Sequence, residues 1–433
     1  MLIQLLSLPK KAVRYWRKYG TQAFIQRIIV RLGGVDGQGQ PALPKGPVQA
    51  RYLIDTRFTQ CNAIRVFSVP RAALERVTLV TDSISSGSFY GGVATAIILA
   101  VKLVESRGAR LRILLRVHEA EAANLAKLLA LHKLALTHEV EFAFVHYNDE
   151  HTEIDVFPGE LFLTTSWWTT SAMMGSVSPA DIVYLVQEDE RMFYPHGDDH
   201  LRCTAVLSNP KLRFVVNTRM LLEHFKQTGL PNVAERGMSF EPAFPAEVFF
   251  PRARAAGEKR RFVFYARPNN LRNLFYTGIE LIDDAVRTGL LDPATWDIVL
   301  VGKDIPHVVF GDGYQPKVLE NLGWQDYATL IGQADLGLSL MYTPHPSYPP
   351  LDLAASGAVV VSNRFGLKQD LAPYCANILC SELDRDAMRQ ALAEGVRLAL
   401  ADEERRRNYE GNRLQRDWHT SFAEVLRFVG EAA

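Results

Sequence analysis

The chain lacks the features that mark several common classes of protein. It carries 48 basic and 48 acidic side chains over 433 residues, so no overall positive field is available to bind a nucleic-acid backbone. Its four cysteines, at positions 61, 203, 375 and 380, form no CxxC pair, which argues against a zinc site and favours reduced thiols. No GxGxxG run follows the first strand of either predicted domain, which disfavours a dinucleotide-dependent oxidoreductase.

Long apolar runs and a leader sequence are also missing. No segment reaches the roughly 18–20 apolar residues that span a membrane, and the opening MLIQLLSLPKK has its lysines on the wrong side for a secretory signal. We therefore expect a cytoplasmic protein. The first 35 residues hold seven Lys or Arg and no Asp or Glu, with apolar side chains interleaved. This pattern predicts an amphipathic helix in residues 1–32 that lies on the inner face of an anionic membrane, or else packs on the protein body or a partner.

The rest of the chain alternates between strand and helix patterns. A Gly- and Pro-rich stretch ends the N-terminal segment 1–47 as a linker. One alternating series follows it, and a second begins near residue 260. The alternation predicts parallel sheets with crossover helices, an α/β fold. The length suffices for two domains, which we place at 48–250 and 260–411.

The second series contains a pair of cations at a strand end. The strand RRFVFYARP ends at Arg267, Arg272 follows five positions later, and the helical run LFYTGIELIDDAV begins directly afterwards. Guanidinium groups bind phosphate oxygens bidentately, and the amides at a helix N-terminus add partial positive charge. The pair therefore predicts a diphosphate site, with a surface pair flanking a helix as the alternative.

Two further loops complete this series. The strand WDIVLVGKD stops at Gly302, where a residue without a side chain would let a ligand approach the backbone. A turn at Gly323 and Trp324 precedes an amphipathic helix. The run HPSYPPLDLAASGAVVVSN then brings Asp352 to the start of a small-residue helix.

This order of elements resembles the C-terminal half of family 4 glycosyltransferases, over residues 260–410 and more loosely over 76–250. These enzymes have the GT-B fold, in which two Rossmann-like doubly wound domains face a central cleft. The resemblance implies that Arg267 and Arg272 hold the diphosphate of a nucleotide-sugar donor and that Asp352 contacts its ribose. It also implies that no metal cofactor is needed, that anomeric configuration is retained, and that the C-terminal helix 412–433 crosses back to the first domain.

The chain departs from the family pattern at one position that concerns the sugar. Where the family has a glutamate eight positions before the ribose-binding acid, this chain has Pro344. Other groups must then hold the donor sugar. The substrate-binding candidates on this side are His345, Ser347, Tyr348, Leu351, Tyr342, Gly302, Lys303, Gly323 and Trp324.

The first domain offers weaker signals. Gly91 and Gly92 precede a long apolar helix, and such a turn either holds an anion or lets the helix pack close to its strand. Trp167 and Trp168 follow an apolar strand, at the sheet edge where open α/β folds bind ligands. Their rings are predicted to stack on a sugar or to belong to the core.

An acidic segment, VQEDERMFYPHGDDHL, supplies the remaining candidates. We predict that Asp189 and Glu190 orient the acceptor, and the GT-B resemblance argues against a metal among these acids. The segment is similar to one in rhamnosyltransferases of bacterial O-antigens and surface-layer glycans, as are TTSWWTT and the FFP run near residue 249. This implies transfer of L-rhamnose from dTDP-L-rhamnose to a growing surface polysaccharide, with an acceptor that is free or lipid-linked. Two alternatives stay open: another nucleotide-sugar enzyme such as an epimerase, and a non-catalytic glycan-binding or scaffold protein.

Overall fold

The computed structural model describes residues 47–70, 74–85, 91–253 and 257–431. The predicted basic helix at 1–32 therefore lies outside the described residues. The chain divides into two compact units, residues 1–59 and 60–433. In the first unit, helix α1 spans Ala50–Arg57. Within the described ranges, no helix is long and apolar enough to cross a membrane.

The larger unit begins with a seven-stranded parallel sheet in the order β4-β3-β2-β6-β7-β8-β9. Its strands are β2 (Arg76–Thr81), β3 (Arg110–Leu115), β4 (Glu141–Phe144), β6 (Leu161–Thr164), β7 (Ile182–Val186), β8 (Arg213–Asn217) and β9 (Gly237–Phe240). A separate parallel pair is formed by β1 (Arg65–Ser68) and β5 (Glu153–Val156). The connecting helices are α2 (Gly92–Arg107), α3 (Ala122–Leu131), α4 (Trp167–Met174), α5 (Asp198–Leu207), α6 (Arg219–Gln227) and α7 (Pro231–Glu235).

Strands β2, β6, β7 and β8 are buried along their whole length. Burial of every residue suits strands of a parallel sheet that helices cover on both faces. Helix α2 lies against β2 and buries ten of its sixteen residues. These contacts fix the C-terminal ends of the central strands, where ligands bind in open α/β folds.

A second sheet has six parallel strands in the order β12-β11-β10-β13-β14-β15. They are β10 (Arg260–Ala266), β11 (Trp296–Gly302), β12 (Lys317–Glu320), β13 (Leu336–Leu338), β14 (Val359–Asn363) and β15 (Ile378–Ser381). The helices of this region are α8 (Phe275–Arg287), α9 (Trp324–Gly332), α10 (Tyr348–Ala355), α11 (Arg385–Leu400) and α12 (Asp402–Glu410). Both sheets belong to the unit 60–433.

The last helix, α13 (Trp418–Glu431), packs against α2 and β9 of the first sheet. It buries Trp418, Phe422, Val425 and Val429 in the same core cluster as α2, and the ring of Phe422 lies 4.8 Å from that of Phe240. The end of the chain thus completes the core of the sheet with which the unit began. Our domain boundaries at 48–250, 260–411 and 412–433 stay a prediction.

Candidate active site

A cavity of about 320 Å³ lies between the two sheets and takes its lining from both. This volume is at the lower end of the range for small-molecule sites. Eleven of the residues singled out in the sequence line it: Gly91, Gly92, Arg267, Arg272, Gly302, Lys303, Trp324, His345, Ser347, Tyr348 and Asp352. The folded chain therefore gathers most of the predicted site from five separate segments into one cleft.

The two arginines of the predicted diphosphate site both reach this cavity. Arg267 follows the last residue of β10 and donates to the hydroxyl of Tyr265 at 3.2 Å. Burial lowers the pKa of Arg272, and the positive charge of Arg267 lowers it further. Because the two positive charges repel each other, a bound diphosphate would stabilise both of them.

Arg272 is held by an aromatic ring and a carboxylate. Its guanidinium lies 3.8 Å from the ring centroid of Phe193, and Nη1 is 3.5 Å from the Glu188 carboxylate. Helix α8 begins at Phe275, after a 3₁₀ turn and a left-handed residue, Leu274 (φ 48°). The helix N-terminus therefore starts three residues after Arg272. The guanidinium of Arg272 packs instead on the ring of Phe193.

Two glycines in the cleft are required for different reasons. A Cβ on Gly302 would stand 1.8 Å from the carbonyl oxygen of Ala266 on the neighbouring strand, so this glycine is needed for the approach of β10 to β11. Gly91 has a φ of 54°, and a Cβ there would meet the ring of Tyr348 at 3.3 Å. At Gly91 the backbone conformation itself favours glycine.

The start of helix α10 forms another wall of the cavity. Ser347, with a φ of 72°, precedes it, and Tyr348 lies between the two sheets. Its hydroxyl is 2.5 Å from Thr95 Oγ1 and accepts from the Asn217 side chain at 2.9 Å. Because Thr95 and Asn217 belong to the first sheet and its helices, Tyr348 joins the two halves of the cleft.

Asp352 lies on α10 and is buried. Burial raises the pKa of its carboxyl group to about 8, while a hydrogen bond of 3.2 Å from the Tyr327 hydroxyl acts in the opposite direction. A carboxyl group with so little access to water gains from a partner that donates hydrogen bonds to it. The two hydroxyls of a ribose would be such donors.

His345 is neutral and has a defined tautomer. Its Nδ1 accepts a hydrogen bond from the Ser347 amide at 2.9 Å, so the proton is on Nε2. Burial lowers the pKa of His345 to about 3, with Lys368 and Arg272 adding to the effect. Nε2 is buried and has no partner among the described residues, which leaves one N–H donor available to a ligand.

Several predicted residues lie outside the cavity lining. Trp167 is fully buried and donates to the hydroxyl of Tyr194 at 3.0 Å, as expected for a core residue. Trp168 donates to Asp82 at 2.9 Å. Leu351 is buried in the core beneath the second sheet. Gly323 precedes α9 as its N-cap, and Tyr342 is about half exposed beside Phe365.

The two acids predicted to orient the acceptor also lie outside this lining. Burial alone would raise the pKa of Asp189, but hydrogen bonds from Arg191 (2.7 Å) and His224 (3.0 Å) lower it to about 2. Burial raises the pKa of Glu190 to about 8, although it accepts from the Trp167 amide at 2.8 Å. Both carboxyl groups are engaged in the first domain, and their role toward an acceptor stays a prediction.

The structure adds residues that the sequence did not identify. Glu188, Gln187 and Asn273 line the cavity, and Lys368 lies buried next to it, donating to the Met341 carbonyl at 2.7 Å. The available signal for Glu188 was its place directly after a buried strand, at the ligand-binding edge of the sheet. Among the residues that the structure describes, no group of three His, Cys, Asp or Glu side chains is arranged to hold a metal ion.

Comparisons with known proteins agree with this organisation. The family model described as the N-terminal domain of WsaF matches residues 76–216, and that of its C-terminal domain matches residues 260–393. A curated relative, the O-antigen biosynthesis protein RfbC of Myxococcus xanthus, is 29% identical over 225 residues. That match covers 52% of this chain but only 17% of RfbC.

Solved structures share the fold at low sequence identity. HepE from Anabaena, solved with UDP-glucose, superposes with a TM-score of 0.57 at 14% identity, over 82% of this chain and 99% of its own. Sucrose-phosphate synthase from Thermosynechococcus elongatus gives 0.53 at 13% identity, over 83% and 100%. WaaG, a glycosyltransferase of lipopolysaccharide biosynthesis, gives 0.55 at 13% identity, over 82% and 99%. The predicted α/β GT-B fold is confirmed.

Proposed function

We propose that this GT-B protein is a glycosyltransferase that moves a sugar from a nucleotide diphosphate donor to a hydroxyl of a growing bacterial polysaccharide. The observation that carries the proposal is that Arg267, Arg272 and the buried acid Asp352 line one cavity between the two sheets. Two guanidinium groups suit a diphosphate, and a hydrogen-bond acceptor suits a ribose.

The proposed chemistry follows from where charge develops. When the bond between the sugar and the β-phosphate breaks, negative charge grows on the phosphate oxygens. Arg267 and Arg272 would stabilise this charge more strongly in the transition state than in the bound donor. The cavity is partly closed by contacts between the two domains, which would keep water from hydrolysing the donor. No step in this scheme requires a metal ion.

Further details of the reaction are part of the same proposal. We take the donor to be dTDP-L-rhamnose and the transfer to proceed with retention, the leaving phosphate accepting the proton of the acceptor hydroxyl. The matches to WsaF domains and to an O-antigen biosynthesis protein support a polysaccharide acceptor. The UDP-glucose bound by HepE supports a nucleotide sugar as donor. Residues 1–32 would hold the enzyme at the inner face of the membrane, close to a lipid-linked acceptor.

A thermal-shift panel tests the donor. The purified protein and its Arg267→Ala variant are heated with dTDP-L-rhamnose, UDP-glucose and a guanosine diphosphate sugar. We expect selective stabilisation by dTDP-L-rhamnose that the variant loses. Stabilisation by another sugar nucleotide would support a glycosyltransferase with a different donor. No shift with any of the sugar nucleotides would favour a scaffold protein. The anomeric proton coupling of a transfer product then tests retention.

A further inference from the structure

Four of the residues that line the cavity carry buried polar atoms that the protein leaves unpaired. Among the described residues, Glu188 Oε1, Gln187 Oε1 and Asn273 Oδ1 have no hydrogen-bond partner, and neither has His345 Nε2. All four residues line the cavity. An unpaired buried polar group costs about 1–3 kcal/mol, and such groups are rare in folded proteins. Glu188, Gln187, Asn273 and His345 together bring three acceptors and one donor to the lining of one cavity, a set that suits a ligand with several hydroxyl groups.

Glu188 is the charged member of this set and comes from the first domain. It follows β7, and its Oε2 accepts a hydrogen bond from the Thr343 hydroxyl at 3.1 Å across the cleft. Thr343 directly precedes Pro344, the position at which the chain has no glutamate. The Glu188 carboxylate thus reaches, from the opposite domain, the residue next to the position where the family resemblance implies a sugar-binding acid.

The contacts of Glu188 leave part of the hydrogen-bonding capacity of its carboxylate unused. Arg272 Nη1 is 3.5 Å away, beyond the 2.7–3.2 Å of an ordinary N–H···O hydrogen bond. Burial raises the pKa of Glu188, while Arg272, Thr343, Lys368 and, as the least of these influences, the amide of Asp189 lower it. Oε1 of this cavity-lining residue is buried and has no hydrogen-bond partner among the described residues.

We propose that Glu188 is a specificity-determining residue that accepts hydrogen bonds from the hydroxyls of the donor sugar. Gln187 and Asn273 add further acceptors, and the N–H of His345 adds a donor. The second domain then holds the nucleoside diphosphate, and the first domain contributes the main contact to the sugar. This inference rests on the proposed function, because it assigns one part of the same cavity to one part of the donor.

The proposal separates sugar binding from diphosphate binding. The Glu188 carboxylate attracts Arg272 and so competes with the diphosphate for that guanidinium. Glu188→Gln removes the competing charge and weakens acceptance from sugar hydroxyls. We expect affinity for dTDP or UDP to stay equal or rise, while affinity for the matching sugar nucleotide falls about 10-fold to 100-fold, the range for one charged hydrogen bond.

The experiment is a set of calorimetric titrations with dTDP, dTDP-L-rhamnose, UDP and UDP-glucose on the full chain. Glu188→Asp serves as a second variant, because it keeps the charge near Arg272 but withdraws the carboxylate by one methylene group. The matched control is Glu241→Gln. Glu241 also reaches across to the other half, where the Tyr374 hydroxyl donates to it at 2.8 Å, but it is not among the residues that line the cavity. Glu241→Gln should leave the ratio of the affinities for dTDP and dTDP-L-rhamnose unchanged.

Three results would overturn the inference, and they are distinguishable. An equal loss of dTDP and dTDP-L-rhamnose binding in Glu188→Gln would mean that Glu188 only positions Arg272, with the proposed function intact. Unchanged affinity for dTDP-L-rhamnose in Glu188→Gln would mean that Glu188 does not contact the donor sugar. A wild-type protein that binds none of the four nucleotides would remove the proposed function and this inference together.

Discussion

The two domains line the cleft with different charged groups, because its Lys and Arg side chains all come from the second domain. This domain presents Arg267, Arg272 and the N–H of His345, with Lys368 buried nearby, and it adds the acceptors Asp352 and Asn273. The first domain presents oxygen acceptors, Glu188 and Gln187. The surface of the second domain suits a diphosphate, and the surface of the first domain suits a polyhydroxylated sugar. The contrast indicates that the two domains divide the donor between them, so a domain without its partner would hold only part of the ligand.

The largest effect is expected when the cationic surface is broken. Arg272→Ala should lower kcat/KM for the donor about 100-fold to 1,000-fold, comparable to the loss of one oxyanion-stabilising donor. The exposed Arg397 on α11 offers the control, since its ion pairs with Glu394 and Glu404 lie on the surface, and Arg397→Ala should stay within about twofold of wild type. Steady-state release of the nucleoside diphosphate measures both. Equal losses in the two variants would contradict a localised diphosphate site.

The next effect concerns the strands that carry this surface. Gly302→Ala would place a Cβ 1.8 Å from the Ala266 carbonyl oxygen, which must push apart the ends of β10 and β11. We expect a loss of about 3 kcal/mol, seen as a Tm lower by roughly 3–4 °C for a unit of this size. Gly430→Ala is the matched control, because nothing lies within 4 Å of a Cβ there. A Tm within about 2 °C of wild type for Gly302→Ala would show that the close approach is not required.

A smaller effect, on stability rather than on donor binding, is expected at Asp189, the neighbour of Glu188 in the first domain. Asp189 is bonded to Arg191 and His224, and its pKa of about 2 lies below the ordinary 3.8. It therefore contributes stability that is present above pH 4 and is lost as pH falls through 2. Asp189→Asn should cost about 2 kcal/mol at pH 7, with a gap to wild type that narrows toward pH 3, and should leave donor affinity unchanged. Denaturant unfolding at several pH values measures the difference in stability, and calorimetric titration measures the donor affinity.

The smallest effect is a pH dependence at the predicted ribose site. The pKa of Asp352 is raised from 3.8 to about 8, so the folded protein keeps a proton that the unfolded chain releases. Its contribution to stability is complete below pH 4 and is lost as pH rises toward 8. Asp352→Asn cannot ionise, so its Tm relative to wild type should rise by a few degrees between pH 5 and pH 8. A pH-independent difference would show that Asp352 is ionised in the folded protein.

The contrast between the domains also explains what the sequence could predict. Arg267, Arg272 and Asp352 follow one another along a single alternating series, and the family resemblance implied that they share one site. Gly302 lines the cavity, where the backbone of Ala266 leaves no room for a Cβ. Edge strands such as β12 and β15 have four residues each, too few for a clear period in the sequence.

The first domain was harder to predict because its ligand-facing residues come from different loops. Three consecutive acids, Glu188, Asp189 and Glu190, follow the same strand, and only Glu188 lines the cavity. The choice among them depends on partners that are distant in sequence: Thr343 for Glu188, His224 for Asp189 and the Trp167 amide for Glu190. Lys368 likewise becomes noticeable only through its burial beside Glu188.

A crystal structure of the protein with bound dTDP-L-rhamnose tests the division of the donor between the domains most directly. We expect the diphosphate between Arg267 and Arg272, the ribose at Asp352, and a rhamnose hydroxyl within about 3 Å of Glu188 Oε1. A nucleotide whose diphosphate avoids the two arginines, or whose sugar contacts the second domain alone, would contradict the account.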